Sequence, residues 1–225
     1  LAGARKVIHR RRELAHLLEP DLKQAYGGLR DIVALRAVAA SWVADRPHAH
    51  AVSEAHEWLL VVRDALHRTT GRRHDRLVFE DQDTVAASLG LLDADALMRR
   101  VAEAGRAIAY ATDVTWRQVE RTLRARSSPA RSRRPVSRRS LGHGVVEHDG
   151  EAVLARDARP ELDPVVPLRA AAGAAQAGLV LSPATVERLA IECPPLPPVW
   201  PDAARDALVA LLAQHVVDRR CAPDR

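Results

Sequence analysis

The chain has 225 residues, 47% hydrophobic and 28% charged, with a formal net charge of +5, which is enough apolar material for one large or two modest cores in a soluble globular chain. Two cysteines are too few for a disulfide framework and fit a reducing cytoplasm. No stretch approaches the roughly 18 uninterrupted apolar residues of a membrane span, and the start "LAGARKVIHRRR" lacks a signal-peptide core. The positive charge is local: residues 121–139 hold eight arginines and no acid, so subtracting eight from +5 leaves −3 for the rest.

Helices are predicted at about 4–18 and 29–44. In "AVSEAHEWLLVVRDALHRTTG" the apolar positions Val52, Ala55, Leu59, Val62 and Leu66 recur at steps of three and four and share one helix face. Glu54, Glu57, Arg63 and Asp64 are placed outward, and Gly71 supplies a C-terminal stop. A short helix is expected at 82–90. A long one follows, built on Leu97, Val101, Ala104, Ile108 and Ala111 and capped by Asp93 or Asp95. Trp42, Trp58 and Trp116 lie within or beside these apolar faces and are assigned to core packing.

From Arg124 the pattern gives way to "RARSSPARSRRPVSRRS", whose like charges, serines and prolines read as a linker. "GVVEHDGEAVLAR" then alternates about Asp149-Gly150, a strong hairpin signal. Helices are expected to resume at 164–178, at 183–192 with Ser182 as cap and Pro183 first, and at 202–217. The proline-rich "CPPLPPVWP" between the last two must be extended. The expected fold is mainly α: an antiparallel helical bundle over 1–124, an Arg/Ser/Pro linker over 125–140, and a connector with a small hairpin and short helices over 141–225.

The stretch "EPDLKQAYGGLRD", 19–31, interrupts the helices with two glycines and five charges. Gly27-Gly28 opens a helix at Leu29, so free first-turn amides would point into the loop, flanked by Lys23 and Arg30. Asp31 could hold Arg30 or accept from those amides. This outlines an anion site; a plain helix-connecting turn is the alternative. Asp75 and Arg76 are assigned to bracing a loop between two helices. His48, His50 and His56 cluster in sequence without the donors of a tetrahedral set, so no metal site is assigned. The dipeptides His74-Asp75 and His148-Asp149 are read as coincidental. No catalytic residue is assigned.

The order of three blocks resembles a known family. "EPDLKQAYGGLRDIVAL", then the R-x-A-L-H helix with "DRLVFEDQ", then "ALMRRVAEAGRAIAY" is similar to the helical domain of the bacterial protein-PII uridylyltransferase and uridylyl-removing enzyme. The matching positions include Glu19, Pro20, Lys23, Gly27, Gly28, Leu29, Arg30, Asp31, Asp75, Arg76, Leu77 and Gln82. Tyr26 stands where relatives commonly carry proline.

The resemblance implies an enzyme moving a nucleotidyl group from UTP or ATP to a tyrosine of the PII signalling protein. Lys23, Gly27, Gly28, Arg30 and Asp31 would be nucleotide-binding, and Asp75, Arg76 and Gln82 loop-supporting. The family enzyme would use Mg2+, but this sequence has no G-S followed by an Asp-x-Asp pair and no assignable HD ligand set. It is therefore expected to bind no metal itself and to be a cytoplasmic fragment of a nitrogen-regulating transferase, inactive alone. The closing "QHVVDRRCAPDR" is not expected to continue a helix toward an HD domain. Membrane association is not expected, nor is nucleic acid, because no aromatic residue interleaves the arginines. Two alternatives remain: an interaction module that uses the arginine-rich segment, and a glutamine synthetase adenylyltransferase-like helical domain.

Overall fold

The structure, a computed structural model, describes residues 13–44, 49–127, 139–142 and 144–220. It divides into two compact units, Leu1–Ser132 and Arg133–Arg225. Among its described residues the first carries four α-helices: α1 (Leu29–Ala40), α2 (Ala49–Thr70), α3 (Phe79–Ser88) and α4 (Ala94–Ser127). The long α2 and α4 pack on each other, and α1 and α3 each lie against both.

The periodic positions read from the sequence are the ones that are buried. Leu59, Val62 and Leu66 of α2 meet Leu97, Val101 and Ile108 of α4, joined by Leu14, Leu22, Leu77 and Val85. Truncating one such leucine to alanine typically costs about 2–5 kcal/mol, because the cavity only partly collapses. Asp93 Oδ1 accepts from Ala96 N–H at 2.7 Å, which caps α4 as expected.

The second unit holds a four-stranded sheet of β1 (Arg139–Gly142), β2 (Val145–His148), β3 (Glu151–Leu154) and β4 (Val180–Leu181), in that order. β2 and β3 form the expected hairpin, with Val145 opposite Leu154 and His148 opposite Glu151. Asp149 and Gly150 sit at φ 51° and 77°, the signs that a two-residue type I′ connection requires. The sheet also gains β1 on one side and, in parallel, β4 on the other, which sequence reading did not anticipate. Strands of four and two residues carry too little periodicity to register.

Helices α5 (Val166–Gln176), α6 (Pro183–Glu192) and α7 (Asp202–Arg220) complete this unit, and α5 packs on α7. Ser182 caps α6 as predicted: its Oγ accepts from Thr185 N–H at 3.2 Å, while Thr185 Oγ1 accepts from Leu154 N–H at 3.1 Å. The thiol of Cys193 faces the carbonyls of Pro160 and Asp163, and burial, helped by the Asp163 charge, pushes its pKa up. Cys221 lies outside the described residues.

Several expectations are corrected. Where a helix was expected over 4–18, the described part is only a 3-10 turn at Leu14–His16, because Leu14 N–H donates to Tyr26 carbonyl instead of continuing a helix; residues 4–12 lie outside the described set. α1 stops at Ala40 rather than 44. α3 begins at Phe79, three residues early, where Glu19 Oε1 accepts from the Phe79 amide. Of the linker predicted over 125–140, residues 125–127 continue α4 and 139–140 begin β1, the remainder lying outside the described residues.

Trp42 is not in the core. It is 92% exposed at φ 56°, just past the end of α1, and Trp116 is half-exposed. Trp58 does pack against the core, with the Arg100 guanidinium 3.6 Å from its ring centre. The chain also stays helical through "QHVVDRR", since α7 runs to Arg220. The rest of "QHVVDRRCAPDR" lies outside the described residues.

Candidate functional site

Residues 19–31 and 74–82 are 40 or more positions apart in sequence but are laced together. Leu22 N–H donates to the Asp75 carbonyl at 2.8 Å and Leu77 N–H to the Pro20 carbonyl at 2.9 Å. Side chains reinforce this ladder. Glu19 accepts from Arg76 Nη2 at 2.7 Å and from Phe79 N–H at 3.2 Å, and Gln82 Nε2 donates to the Leu18 carbonyl at 2.8 Å. Hydrogen bonds favour the ionised form of the acceptor, so the Phe79 amide, and then Arg76, hold the Glu19 carboxyl below its usual range.

Asp75 stands at the centre. Its Oδ1 accepts from Arg63 Nε at 2.5 Å and lies 3.5 Å from His67 Nε2, and its Oδ2 lies 3.9 Å from Lys23 Nζ. His67 Nε2 also meets the His74 carbonyl at 3.0 Å. Burial alone would raise the Asp75 pKa; the hydrogen bond and charge of Arg63, with Lys23 and His67, outweigh it and bring the value below the usual carboxylate range. Arg63 was expected to face outward, yet its side chain is only 34% exposed. It and His67 stand four apart on α2, the spacing that puts two side chains on one stripe. That spacing, inside the R-x-A-L-H block, was the available signal, and sequence reading assigned neither residue a role.

The glycine turn differs from its expected form. The N-cap of α1 is Gly28, but its first-turn amides are taken: Leu29 N–H donates to the Leu22 carbonyl at 3.0 Å, Arg30 N–H to Lys23 at 3.1 Å and Asp31 N–H to Gly28 at 3.1 Å. Both glycines are buried. A Cβ on Gly27 would stand 2.4 Å from the Gly105 carbonyl oxygen of α4, and one on Gly28 2.8 Å from that of Ala25. The anion cradle of free amides expected from sequence is therefore corrected: the doublet lets the turn seat against α4. Asp31 accepts from Gly27 N–H at 2.7 Å, an amide that lies ahead of the helix and not in its first turn. Tyr26 donates to Asp113 of α4 at 2.7 Å, and burial, then that bond, push its pKa well up.

The two cations flanking the turn go to different partners, Lys23 to Asp75 and Arg30 to Gln24 Oε1 at 2.8 Å. Nearby, Thr69, Thr70, Arg72, His74, Asp81 and Thr84 line a polar hollow of about 300 Å³. The sequence-adjacent histidines do not converge: His50 pairs with Glu54, and His56 Nδ1 lies 3.1 Å from Arg36 Nη2, while His48 lies outside the described residues. Among the described residues, no three His, Cys, Asp or Glu side chains gather as metal donors, and no helix is long and apolar enough to cross a membrane.

The first two blocks that carried the resemblance thus meet around Asp75, the third backs the glycine turn through Gly105, and comparison with known proteins agrees with them. The family model for GlnD PII-uridylyltransferase matches residues 34–116. The bifunctional uridylyltransferase/uridylyl-removing enzyme of Streptomyces coelicolor is 62% identical over 213 residues, 90% of this chain and 25% of its own length. The chain belongs to the PII-uridylyltransferase family.

The enzymes of the same name from Mycobacterium tuberculosis and Corynebacterium glutamicum are 42% and 37% identical, covering 89% and 91% of this chain and 26% and 28% of their own lengths. Coverage of that extent reaches into both units, whereas the family model lies within the first. The chain spans about a quarter of the length of these curated relatives, and corresponds to a region of that enzyme. No solved structure matches it.

Proposed function

We propose that this chain is the helical accessory region of a cytoplasmic enzyme that transfers a nucleotidyl group from UTP or ATP to PII, with its first unit forming one wall of the nucleotide cleft. The observation that carries this reading is the meeting of the E-P-x-x-K, R-x-A-L-H and D-R-L-x-F-x-x-Q blocks around Asp75. Core packing alone needs no cluster of partly buried charges, and a carboxylate perturbed by several cations is a functional-site candidate. Lys23 and Arg30 face the nucleotide; Gly27, Gly28 and Asp31 shape the turn that carries them; Asp75, Arg76 and Gln82 brace it.

Mg2+, which the family resemblance implies, would stabilise charge on the transferring phosphate. Among the described residues no donor set converges for it, and the sequence has no G-S motif ahead of its Asp-x-Asp pairs, Asp81/Asp83 and Asp93/Asp95, so no step is assigned to it. The chain by itself supplies binding and shape, and the chemistry belongs to residues outside it.

Incubating the chain with PII, UTP or ATP and Mg2+ tests this directly. No modification of PII is expected, and appreciable modification would overturn the division of labour. Calorimetric titration of UTP and ATP into wild type and a Lys23→Ala, Arg30→Ala double variant tests the cleft assignment. Weaker binding by the variant is expected; equal binding would remove these two residues from the nucleotide site.

A further inference from the structure

The ion cluster around Asp75 is unbalanced. One carboxylate faces two permanent cations, Lys23 and Arg63, and His67 adds a third nitrogen donor. Neither cation is used up. Among the described residues the hydrogen bond that Arg63 gives runs from Nε to Asp75, so the two terminal amino groups of its guanidinium remain for another acceptor. Lys23 Nζ stands 3.9 Å from Asp75, beyond hydrogen-bond length, and its side chain is about half exposed.

The backbone places these groups together for a reason. Leu22, next to Lys23, is hydrogen-bonded to the Asp75 carbonyl, and Arg63 reaches the same residue from the middle of α2. With the α1 amides closed off by the carbonyls of Leu22, Lys23 and Gly28, the cationic surplus here is what could receive the anion that the turn itself cannot. A guanidinium fork and a mobile ammonium, held by one carboxylate, make a donor set suited to phosphate oxygens.

We infer that Lys23 and Arg63 form a phosphate-binding pair oriented by Asp75, and that its ligand is the polyphosphate group of a nucleotide. This rests on the proposed nucleotide-cleft reading and deepens it, because it moves the phosphate contact from the α1 amides to an arginine of α2 that sequence reading placed outward. Asp75 acts as a positioning residue: it holds Arg63 by Nε so that the fork points away from the carboxylate.

The test is isothermal titration of UTP and, separately, inorganic tripolyphosphate into the full 225-residue chain at low ionic strength. The variants are Lys23→Gln, Arg63→Lys and Arg68→Gln, each first checked by thermal melting. Arg63→Lys keeps the positive charge beside Asp75 but removes the fork, so its melting point should hold. Arg68, exposed and paired with Asp64, controls for charge alone. Both ligands should bind wild type, with affinity falling about tenfold in Lys23→Gln and in Arg63→Lys, in line with a lost charge-assisted hydrogen bond; Arg68→Gln should stay within about twofold.

Unchanged affinity in Arg63→Lys, with loss in the Lys23→Ala, Arg30→Ala double variant, would leave the cleft reading standing and overturn this pair. An equal fall in Arg68→Gln would show diffuse charge attraction and overturn it too. If neither ligand binds wild type, the pair and the cleft reading fail together.

Discussion

Among the turns that contain a glycine at positive φ, two use it for different ends. At Asp149-Gly150 the glycine is open: a Cβ added there meets nothing within 4 Å, so only the backbone conformation demands it. At Gly27-Gly28 the conformation is one demand and close packing a second, since the same addition strikes the Gly105 carbonyl at 2.4 Å. The hairpin glycine shapes a local turn, whereas the doublet fixes the approach of the motif-bearing segment to α4. A glycine pair before a helix can thus look like a phosphate loop while serving contact.

This contrast can be broken from either side. The largest effect is expected for Gly27→Ala, which combines the φ of +86° with the overlap on Gly105; a loss of about 3 kcal/mol or more is predicted, read by urea unfolding. A loss under about 1 kcal/mol would show that the turn is not seated on α4. Next, Thr185→Val in the second unit should cost about 1–3 kcal/mol, because the Leu154 amide and the Ser182 hydroxyl lose a buried partner. Gly150→Ala should cost only about 1 kcal/mol, the strain of a left-handed conformation with no clash. If Gly150→Ala proves as costly as Gly27→Ala, the distinction between the two turns is wrong.

The smallest effect concerns pH. Glu19 and Asp75 have folded pKa values below their ordinary 4.5 and 3.8, so their stabilising share is present above those values and is lost as pH falls through the lowered ones. Thermal melts of the chain should therefore be flat in this respect from neutral pH to about 5 and decline below about 4.5. Glu19→Gln should melt lower than wild type at pH 7 and show a shallower acid decline. An acid decline as steep as that of wild type would detach Glu19 from the clasp with Arg76.

Much of this architecture was legible in the sequence because helices announce themselves by period. Val62, Leu66, Val101 and Ile108 are fully buried where the three-and-four spacing placed them. The hairpin was equally plain, since Asp-Gly is among the few pairs that accept two positive φ values. The segment 13–18 was misread because its apolar residues, Leu14 and Leu17, pack against the helices from an irregular path with one 3-10 turn, held by the Tyr26 carbonyl. No local pattern encodes that long-range bond.

Trp42 was misread for a related reason: apolar identity was taken as burial, but α1 ends at Ala40 and turns the indole into solvent. The candidate site was legible as a set of residues and hidden as a geometry. Glu19, Lys23, Asp75, Arg76 and Gln82 were all named, yet who meets whom depends on α2 delivering Arg63 and His67 to Asp75. The closing of the α1 amides by backbone carbonyls could not be read from Gly-Gly, whose freedom permits both an open nest and a sealed one.

The account turns on which donors near this turn are free. Titration of inorganic tripolyphosphate into the 15N-labelled chain, followed by amide and guanidinium NMR signals together with hydrogen exchange, addresses that most directly. The amides of Leu29 and Arg30 should be protected from exchange and shift little, while the side-chain signals of Arg63 and Lys23 move with the ligand. Rapid exchange of those two amides, with large shifts there and none at Arg63, would contradict the account.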